Sequence, residues 1–577
     1  MPKSYSRRQF LQASGALAAG AAVVNAANGA NPGAPLAGNA APKGTKDSWN
    51  AGEVVHLLPA ANHERILLKA SFRSGLQDAP QLLVAGRQVK GRKSDTRGRF
   101  WQFDVSGLKA DTSYSLQLAD GKGKALCSAW PLKTFPSPEA APEHVRLLVY
   151  TCAGGHPDAR GPGGIEAFRS LAIRHALLER GLAYQPHAVI ANGDHVYQDQ
   201  RTWLESNNPA IRKAATDFYQ QIGMFDTAQP VLGTDNERVL TTVVDPQIAH
   251  LYGTRLRSTP VFFLMDDHDY FENDEAEENF VTFPPDHFDL SLGRTVQDMY
   301  YPEFLPDATR SLMLPGSNAS DRAPQVSECF GTLRYGKLLE VLMYDCGRYL
   351  SLKDKHAGII PPEAEKWLLD RTRRSEARHL IHMPSTPFGW SAGKWREWYP
   401  DVVVSDQTAT DTATAPSGAI AQRFWGVQGK NLHLSTQKGK YMWQPGWFAQ
   451  HQRIVTAMSQ QQRPAVMMSG DLHASGWDRM LKSGELDLSK NPVHLILNGT
   501  LGTGRAGWPS AARGLAPSKP TAVQLERNIQ PIEKNGFSIV DITPEKIVCR
   551  LFVWREPDPF EAIGSLEPYE VIEIPIV

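Results

Sequence analysis

The chain has little cysteine: five among 577 residues, at Cys127, Cys152, Cys329, Cys346 and Cys549, with no Cys-x-x-Cys pair. Thiols so few and so scattered exclude a disulfide scaffold, a thioredoxin-type motif and a structural zinc site of that pattern. An odd thiol is left for another task. Charge of one sign is absent too, 61 Lys plus Arg standing against 61 Asp plus Glu. With no basic stripe either, nucleic acid and anionic membrane surfaces are not indicated as bulk electrostatic partners. Beyond the N-terminus no apolar run approaches the roughly 20 residues that span a bilayer, and there is no internal repeat. What remains is a globular composition, too long for one ordinary core, so two domains plus export and loop material are expected. Small molecules are the expected ligands.

The N-terminus reads as an export signal. Ser6-Arg7-Arg8-Gln9-Phe10-Leu11 precedes an Ala-rich, weakly hydrophobic run from Ala13 to Ala27 and then a polar stretch. Paired arginines followed by Phe-Leu resemble a twin-arginine signal. Residues 1–30 are assigned to it and 31–48, rich in Gly, Pro, Ala and Lys, to a flexible lead-in. An ordinary amphipathic helix is the rival reading, but the run is apolar all round. The expected partner is therefore the twin-arginine translocon, and the mature protein is expected in the periplasm or outside the cell, without a stable membrane anchor.

From residue 49 to 136 the pattern is short strands. Ile66-Leu67-Leu68, Gln81-Leu82-Leu83-Val84 and the alternating Tyr114, Leu116 and Leu118 fit a small β-sandwich of fibronectin III or immunoglobulin type, with a hairpin signal at Asp120-Gly121. Pro136, Pro138 and Pro142 mark its end. From 144 to 577 the texture becomes strand, loop, helix, strand, which indicates an α/β or layered α+β architecture. A helix is expected through Ile165, Phe168, Ala172 and Ala176, others from Pro361 to about Ala377 and from Gly446 to Gln461, and late strands at Ala465–Met468, Val493–Leu497, Phe537–Ile542, Ile547–Trp554 and Val571–Ile576. Residues 270–335 read as an acidic, Pro-interrupted excursion. Its run Glu272, Asp274, Glu275, Glu277 and Glu278 fits a solvated helix face better than a calcium site.

Four apolar runs end in chemically useful residues. Val189-Ile190-Ala191-Asn192-Gly193-Asp194 continues to Tyr197; Leu148-Val149-Tyr150-Thr151 ends at Cys152; Val261-Phe262-Phe263-Leu264-Met265 runs into Asp266-Asp267-His268-Asp269; Val466-Met467-Met468-Ser469 ends in Gly470-Asp471-Leu472-His473. An open α/β sheet presents ligands beyond the carboxyl ends of its strands, so these residues are expected at one edge. Carboxylates and histidines so gathered suit a two-metal hydrolytic site. Asp194 can offer a bridging carboxylate, a Tyr197 phenolate favours a hard trivalent ion over zinc, and a metal-bound Cys152 would be a thiolate.

The ordered set Cys152, Gly193-Asp194-x-x-Tyr197, Asp266-Asp267-His268-Asp269 and Gly470-Asp471-x-His473 resembles the PhoD-like alkaline phosphatases, within the calcineurin-like metallophosphoesterases, and through Asp-x-x-Tyr the purple acid phosphatases. The resemblance implies a four-layer α/β/β/α core behind a β-sandwich, and a site of iron(III) and calcium hydrolysing phosphomonoesters and often diesters, with phospholipase D-type activity as a variant. It implies Cys152, Asp194, Tyr197, Asp267, Asp471 and His473 as metal ligands, with His268 facing the leaving group. His382 is the candidate for a further middle ligand, and Arg201, Arg348 and Lys438 for the substrate phosphate. Cys346 and Cys549, inside strands, are expected in the core. Two decoys are set aside. Gly502-x-Gly504-x-x-Gly507 is followed by Trp508-Pro509 where a dinucleotide site needs a helix. Gly389-Trp390-Ser391-Ala392-Gly393 spells the nucleophile elbow of a serine hydrolase but stands off its strand behind Pro384 and Pro387. A degenerate, non-catalytic metal-binding protein is the third class, and no bridging ligand is missing that would favour it.

Overall fold

In the strand Val145–Thr151, Leu147 and Val149 face one way and Leu148 and Tyr150 the other, yet all four are buried. A strand buried on both faces belongs in the middle of a layered α/β core. The computed structural model describes residues 48–576 apart from 205–208, 272–284, 317–324, 352–357, 509, 511–515 and 521, and describes 391–444 only at three short strands. The signal, the lead-in, the acidic run, Ser391 and Lys438 lie outside the described residues.

One six-stranded sheet runs in the order Val261–Leu264, Ala188–Asn192, Val145–Thr151, Asn535–Ile542, Lys546–Trp554, Glu570–Pro575. Its first three strands are parallel and the rest antiparallel. The second sheet places Phe330–Tyr335, Leu339–Tyr344, His379–Pro384, Ala465–Ser469, Val493–Leu497 and Gly476–Ser483 side by side. Between the sheets pack Leu147, Val149, Ile190 and Leu264 from one side and Val341, Met343, Ile381, Met383, Val466 and Met468 from the other. The alternate residues of the first sheet pack with the helix Leu171–Leu182 and with Asp235–Val244 and His287–Tyr300. Those of the second pack with Pro362–Arg374 and Pro445–Ser459. The result is the expected α/β/β/α layering, and Cys346 and Cys549 sit in its core.

Local chemistry explains the helix boundaries. Pro362 opens its helix with Glu363 and Glu365 in the first turn and Arg371, Arg373 and Arg374 in the last, matching the helix dipole. The helix expected from Ile165 starts only at Leu171. Ile165–Glu166 instead pairs with Arg160–Gly161 across a glycine turn, and Phe168 bridges to Thr503. The helix His287–Tyr300 was not evident in the sequence. Its start is set by Asp286, whose carboxylate accepts from the amides of Phe288 and Asp289 at 2.9 Å.

Ahead of the core stand two four-stranded antiparallel sheets. One is ordered Val54–Ala61, Ile66–Phe72, Phe100–Val105, Arg92–Lys93, the other Arg87–Lys90, Gln81–Val84, Ser113–Ala119, Trp130–Lys133. They enclose Leu57, Leu68, Leu82, Phe103, Leu116 and Trp130 in the manner of a fibronectin III sandwich. At Asp120-Gly121 the side chain of Asp120 accepts from the amides of Lys122 and Lys124. Lys69, fully buried, crosses to the core, where Nζ donates to the Asp298 carbonyl at 2.7 Å and pairs with Glu303 at 3.1 Å.

His56 makes the same crossing. Nδ1 lies 2.5 Å from Ser71 Oγ, and Nε2 donates to the Tyr300 carbonyl at 2.9 Å. Burial favours the neutral ring and pulls its pKa from 6.5 down to about 4. Below pH 6.5 the unfolded chain takes up this proton and the folded chain does not, so the contribution is intact above pH 6.5 and is lost as pH falls toward about 4. His56→Gln is expected to lose less stability than wild type across that window, by about 3 kcal/mol, while starting less stable at pH 8. Urea midpoints measured from pH 8 to pH 4 check this.

Candidate active site

The ends of four strands converge, and the backbone there is unusual. Cys152, Asp194, Asp471 and His473 all have positive φ, between 45° and 65°. Non-glycine residues adopt this region at a cost and hold it only when their surroundings impose it. The surroundings do. The Cys152 amide donates to the Gly193 carbonyl at 3.1 Å, Gly154 donates to the Asp194 carbonyl at 3.0 Å, and Thr151 Oγ1 donates to the Asn192 carbonyl at 2.6 Å. Gly193 has φ +79°, and a Cβ there would stand 2.9 Å from Cβ of Asp266.

At the floor, Cys152 Sγ lies 3.1 Å from Asp194 Oδ2. Tyr197 Oη donates to the same oxygen at 2.9 Å and lies 3.0 Å from His473 Nε2. The other nitrogen of His473 meets Thr503 Oγ1 at 2.8 Å, which fixes the ring. Three groups offer ligand atoms within 4.8 Å of one another: Cys152, Asp194 and His473; Asp194, Asp267 and His268; Asp266, Asp267 and Asp471. Asp194 is shared by the first two and Asp267 by the last two. All six residues read from the sequence as ligands are thus brought together, and His268 stands beside them with its ring 4.2 Å from that of Tyr197.

The electrostatics call for positive charge. Burial, then Asp267, raises the Asp194 carboxyl well above its ordinary range, and burial with Asp267 does the same to Asp266. The Cys152 thiol and the Tyr197 phenol are pushed up by burial and by Asp194. Burial pulls His268 down, but Asp199 and Asp267 overcome it and hold the ring well above 6.5. Asp194 Oδ1 is buried with no hydrogen-bond partner among the described residues. A thiol, a phenol, imidazoles and several carboxyl groups crowded at low dielectric are relieved by cations, which hold the acidic members ionised, so the donor set fits metal binding.

Several positioning residues were given no role by the sequence. Asp266 adds a carboxylate to the cluster and accepts from Ser385 Oγ at 2.9 Å. Asp199 holds His268 Nδ1 at 2.9 Å. Gln247 Oε1 accepts from the amides of Tyr197 at 2.8 Å and Gly155 at 2.6 Å. Other expectations fall elsewhere. His382 lies in the strand His379–Pro384 on the face away from the second sheet's partner. Its Nε2 meets Thr372 Oγ1 at 2.9 Å, and burial lowers its pKa to about 3. Period-two alternation sends it with Leu380 toward the helix Pro362–Arg374, so it joins none of the three groups. Arg201 pairs with Asp286 and Asp289, and Arg348 with Glu328.

Asp269 ties the ligand loops together. Its carboxylate accepts from the amides of Asp194 at 2.9 Å, His195 at 2.7 Å, Val196 at 3.1 Å and Asp266 at 3.0 Å. Removing it strands four buried donors, each costing about 1–3 kcal/mol when unmet. Asp269→Ala is therefore expected to lower stability by at least about 3 kcal/mol in chemical denaturation, and to weaken metal retention in the folded fraction measured by elemental analysis.

Comparison with known proteins bears on the N-terminus and on the fold. Residues 4–24 match the TAT (twin-arginine translocation) pathway signal sequence. No curated protein matches the chain. Among solved structures it is similar to one described as the structure of PhoD, with a TM-score of 0.51 and 13% identity over 87% of each chain. It is also similar to the purple acid phosphatase PPD1 from yellow lupin (Lupinus luteus) seeds, with a TM-score of 0.44 and 12% identity over 91% of this chain and 75% of that one. Among the described residues no helix is long and apolar enough to cross a membrane. The chain thus carries a twin-arginine signal for export to the periplasm or beyond, on a fold like that of PhoD.

Proposed function

We propose that this chain is an exported metal-dependent phosphohydrolase acting on phosphomonoesters, with phosphodiesters as substrates of the same site. The observation that carries the reading is the Asp194 carboxylate, common to two adjacent ligand groups. Residues 1–30 would act as the signal, 31–48 as the lead-in, 49–136 as the sandwich domain and 144–577 as the catalytic domain.

Cys152, Tyr197 and His473 would hold one cation and Asp267 and Asp471 the other, with Asp194 spanning both and Asp266 beside the second. The thiol and phenol suit iron(III), and the all-oxygen side suits calcium. When bound, the pair would polarise a phosphoryl oxygen, supply a nucleophile at neutral pH and stabilise the leaving oxygen. His268 would give its proton to that departing oxygen from Nε2, which lies 3.8 Å from Asp267 Oδ2. Asp199, on Nδ1, orients the ring and favours its protonated form. The burial of Cys152 and Asp194, each 1% exposed, excludes water from the floor and strengthens every charge interaction there.

Asp194→Ala is expected to lower turnover on the order of a thousandfold or more, as loss of a central transition-state stabiliser does, with the fold kept by circular dichroism. Assays on one phosphomonoester and one phosphodiester measure it and rank the two activities. Wild-type turnover with full metal occupancy in that variant would overturn the reading.

Metal identity has an optical test. A phenolate on iron(III) gives a visible charge-transfer band, and a thiolate adds to it, whereas zinc or calcium with the same ligands is colourless. Natively exported protein is expected to be coloured. Tyr197→Phe should abolish the phenolate band with little change in packing, and Cys152→Ser should shift what remains and lower iron content. A colourless, active, iron-free wild type would leave the fold and reject iron.

A further inference from the structure

The helix Leu171–Leu182 carries a buried cation near its wrong end. Arg174 is its fourth residue, at the N-terminal end where the helix dipole disfavours positive charge, and it is fully buried. All five of its N–H bonds go to main-chain carbonyls. Nε donates to Arg169 at 2.7 Å, Nη1 to Ala153 at 3.1 Å and Gly154 at 3.0 Å, and Nη2 to Gly155 at 2.7 Å and Arg169 at 2.5 Å. Burial lowers its pKa from 12.5 to about 10, so the guanidinium stays charged at neutral pH. A buried charge is costly. Neither the helix dipole nor a bond to a carboxylate accounts for this one.

The carbonyls it gathers belong to the site. Ala153, Gly154 and Gly155 follow directly on Cys152, which itself stands at φ +45°. Three successive carbonyls turned toward one point repel one another unless a donor occupies it, so the guanidinium fixes the curl of the Cys152 loop. The fourth carbonyl, that of Arg169, carries the constraint further. The Arg169 amide donates to the Gly502 carbonyl at 2.8 Å and its Nε to Asn535 Oδ1 at 3.0 Å, while Asn535 Nδ2 donates to the Thr503 carbonyl at 2.9 Å. Gly502 returns a bond to the Cys152 carbonyl at 2.9 Å, and Thr503 Oγ1 meets His473 Nδ1 at 2.8 Å. One guanidinium thus stands where the Cys152 loop and the loop orienting His473 are joined. The amides that Asp269 gathers belong to the Asp194 and Asp266 loops, so two buried charges divide the cluster between them.

We propose that Arg174 is the positioning residue for the Cys152 and His473 half of the site, holding thiol and imidazole at the spacing one cation needs before that cation arrives. This rests on the metal-dependent reading above and assigns the residue that prepares one of its two cation positions. The planar fork matters here more than the charge. A guanidinium offers five N–H groups in one rigid plane, whereas a Lys ammonium keeps the charge but has three donors on a single atom and cannot span the Cys152 loop and Arg169 together. Loss of a group that orients metal ligands costs about 10–100-fold in metal affinity.

The probe is cobalt(II), titrated into the full mature chain after its native metals are removed with chelator. Cobalt held by Cys152 gives a thiolate charge-transfer band, which Cys152→Ser abolishes as the control, and elemental analysis counts the cobalt that gives none. Arg174→Lys and Arg174→Gln are both expected to weaken the band-bearing cobalt by about 10–100-fold and to leave the band-free equivalent at its wild-type affinity. In hydrogen exchange of the metal-free chains, peptides covering 152–155 and 500–504 should be protected in wild type and exchange faster in Arg174→Lys, while the peptide covering 194–196 is unchanged. Wild-type affinity in Arg174→Lys would assign the effect to charge and overturn the positioning role, as would equal weakening of both cobalt equivalents. Should neither variant fold, free exchange of the 152–155 and 500–504 peptides in metal-free wild type would overturn it, and their protection there would support it. A wild type that takes up no band-bearing cobalt removes the metal reading and this role together, whereas one that takes it up and hydrolyses no phosphoester keeps the role and loses the function proposed above.

Discussion

The repulsion among buried acidic groups is the constraint on which the rest of this structure depends. Asp194, Asp266, Asp267 and Asp471 share one pocket with a thiol and a phenol, and desolvation opposes ionising Asp194, Asp266, the Cys152 thiol and the Tyr197 phenol. Without compensation, such a pocket would be relieved by local opening or by holding protons. With cations present it becomes a preorganised field in which little reorganisation is needed when charge develops on a substrate. Folding energy from elsewhere must hold it together until then.

That energy comes from two places. The layered core contributes bulk burial, with three apolar layers stacked across two sheets. Near the site the cost is local, since four ligand-bearing residues stand at positive φ. Asp269 offsets part of it by gathering amides from both the Asp194 loop and the Asp266 loop, and Gln247 does the same for Tyr197. The strain and its compensation are coupled, because the conformation that points Asp194 inward also aims its amide at Asp269.

The sequence made the converging strand ends legible because each is an apolar run that stops abruptly at polar, titratable residues. It also made the layering legible, since doubly buried strands alternate with helix-length segments. Positioning residues were harder to read. Asp199 and Gln247 lie five and 53 residues after Asp194 in surroundings with no motif, and their roles exist only once loops meet in space. His382 misled because a histidine in a core strand looks like a ligand until its register is known. One residue of shift in a strand decides which layer a side chain enters, here the helix side and not the space between the sheets, and no local pattern reports it. The helix at Leu171 was placed early because helical apolar spacing begins at Ile165, just after the glycine turn, in residues the folded chain uses as the second strand of a hairpin.

The separation of the ligands along the chain bears on export. Cys152 and His473 lie just beyond strands of different sheets, and one loop of the second sheet meets both, Thr503 holding His473 and Gly502 donating to the Cys152 carbonyl. The site therefore cannot assemble from any one segment; it needs both sheets closed on one another. On the proposed function, metal capture would follow nearly complete folding. A twin-arginine signal carries chains already folded, so on the proposed function the cations would enter a finished core before the chain crosses the membrane. On that reading the export signal and the long-range assembly of the cluster would serve one requirement, that this acidic pocket be neutralised where the chain folds.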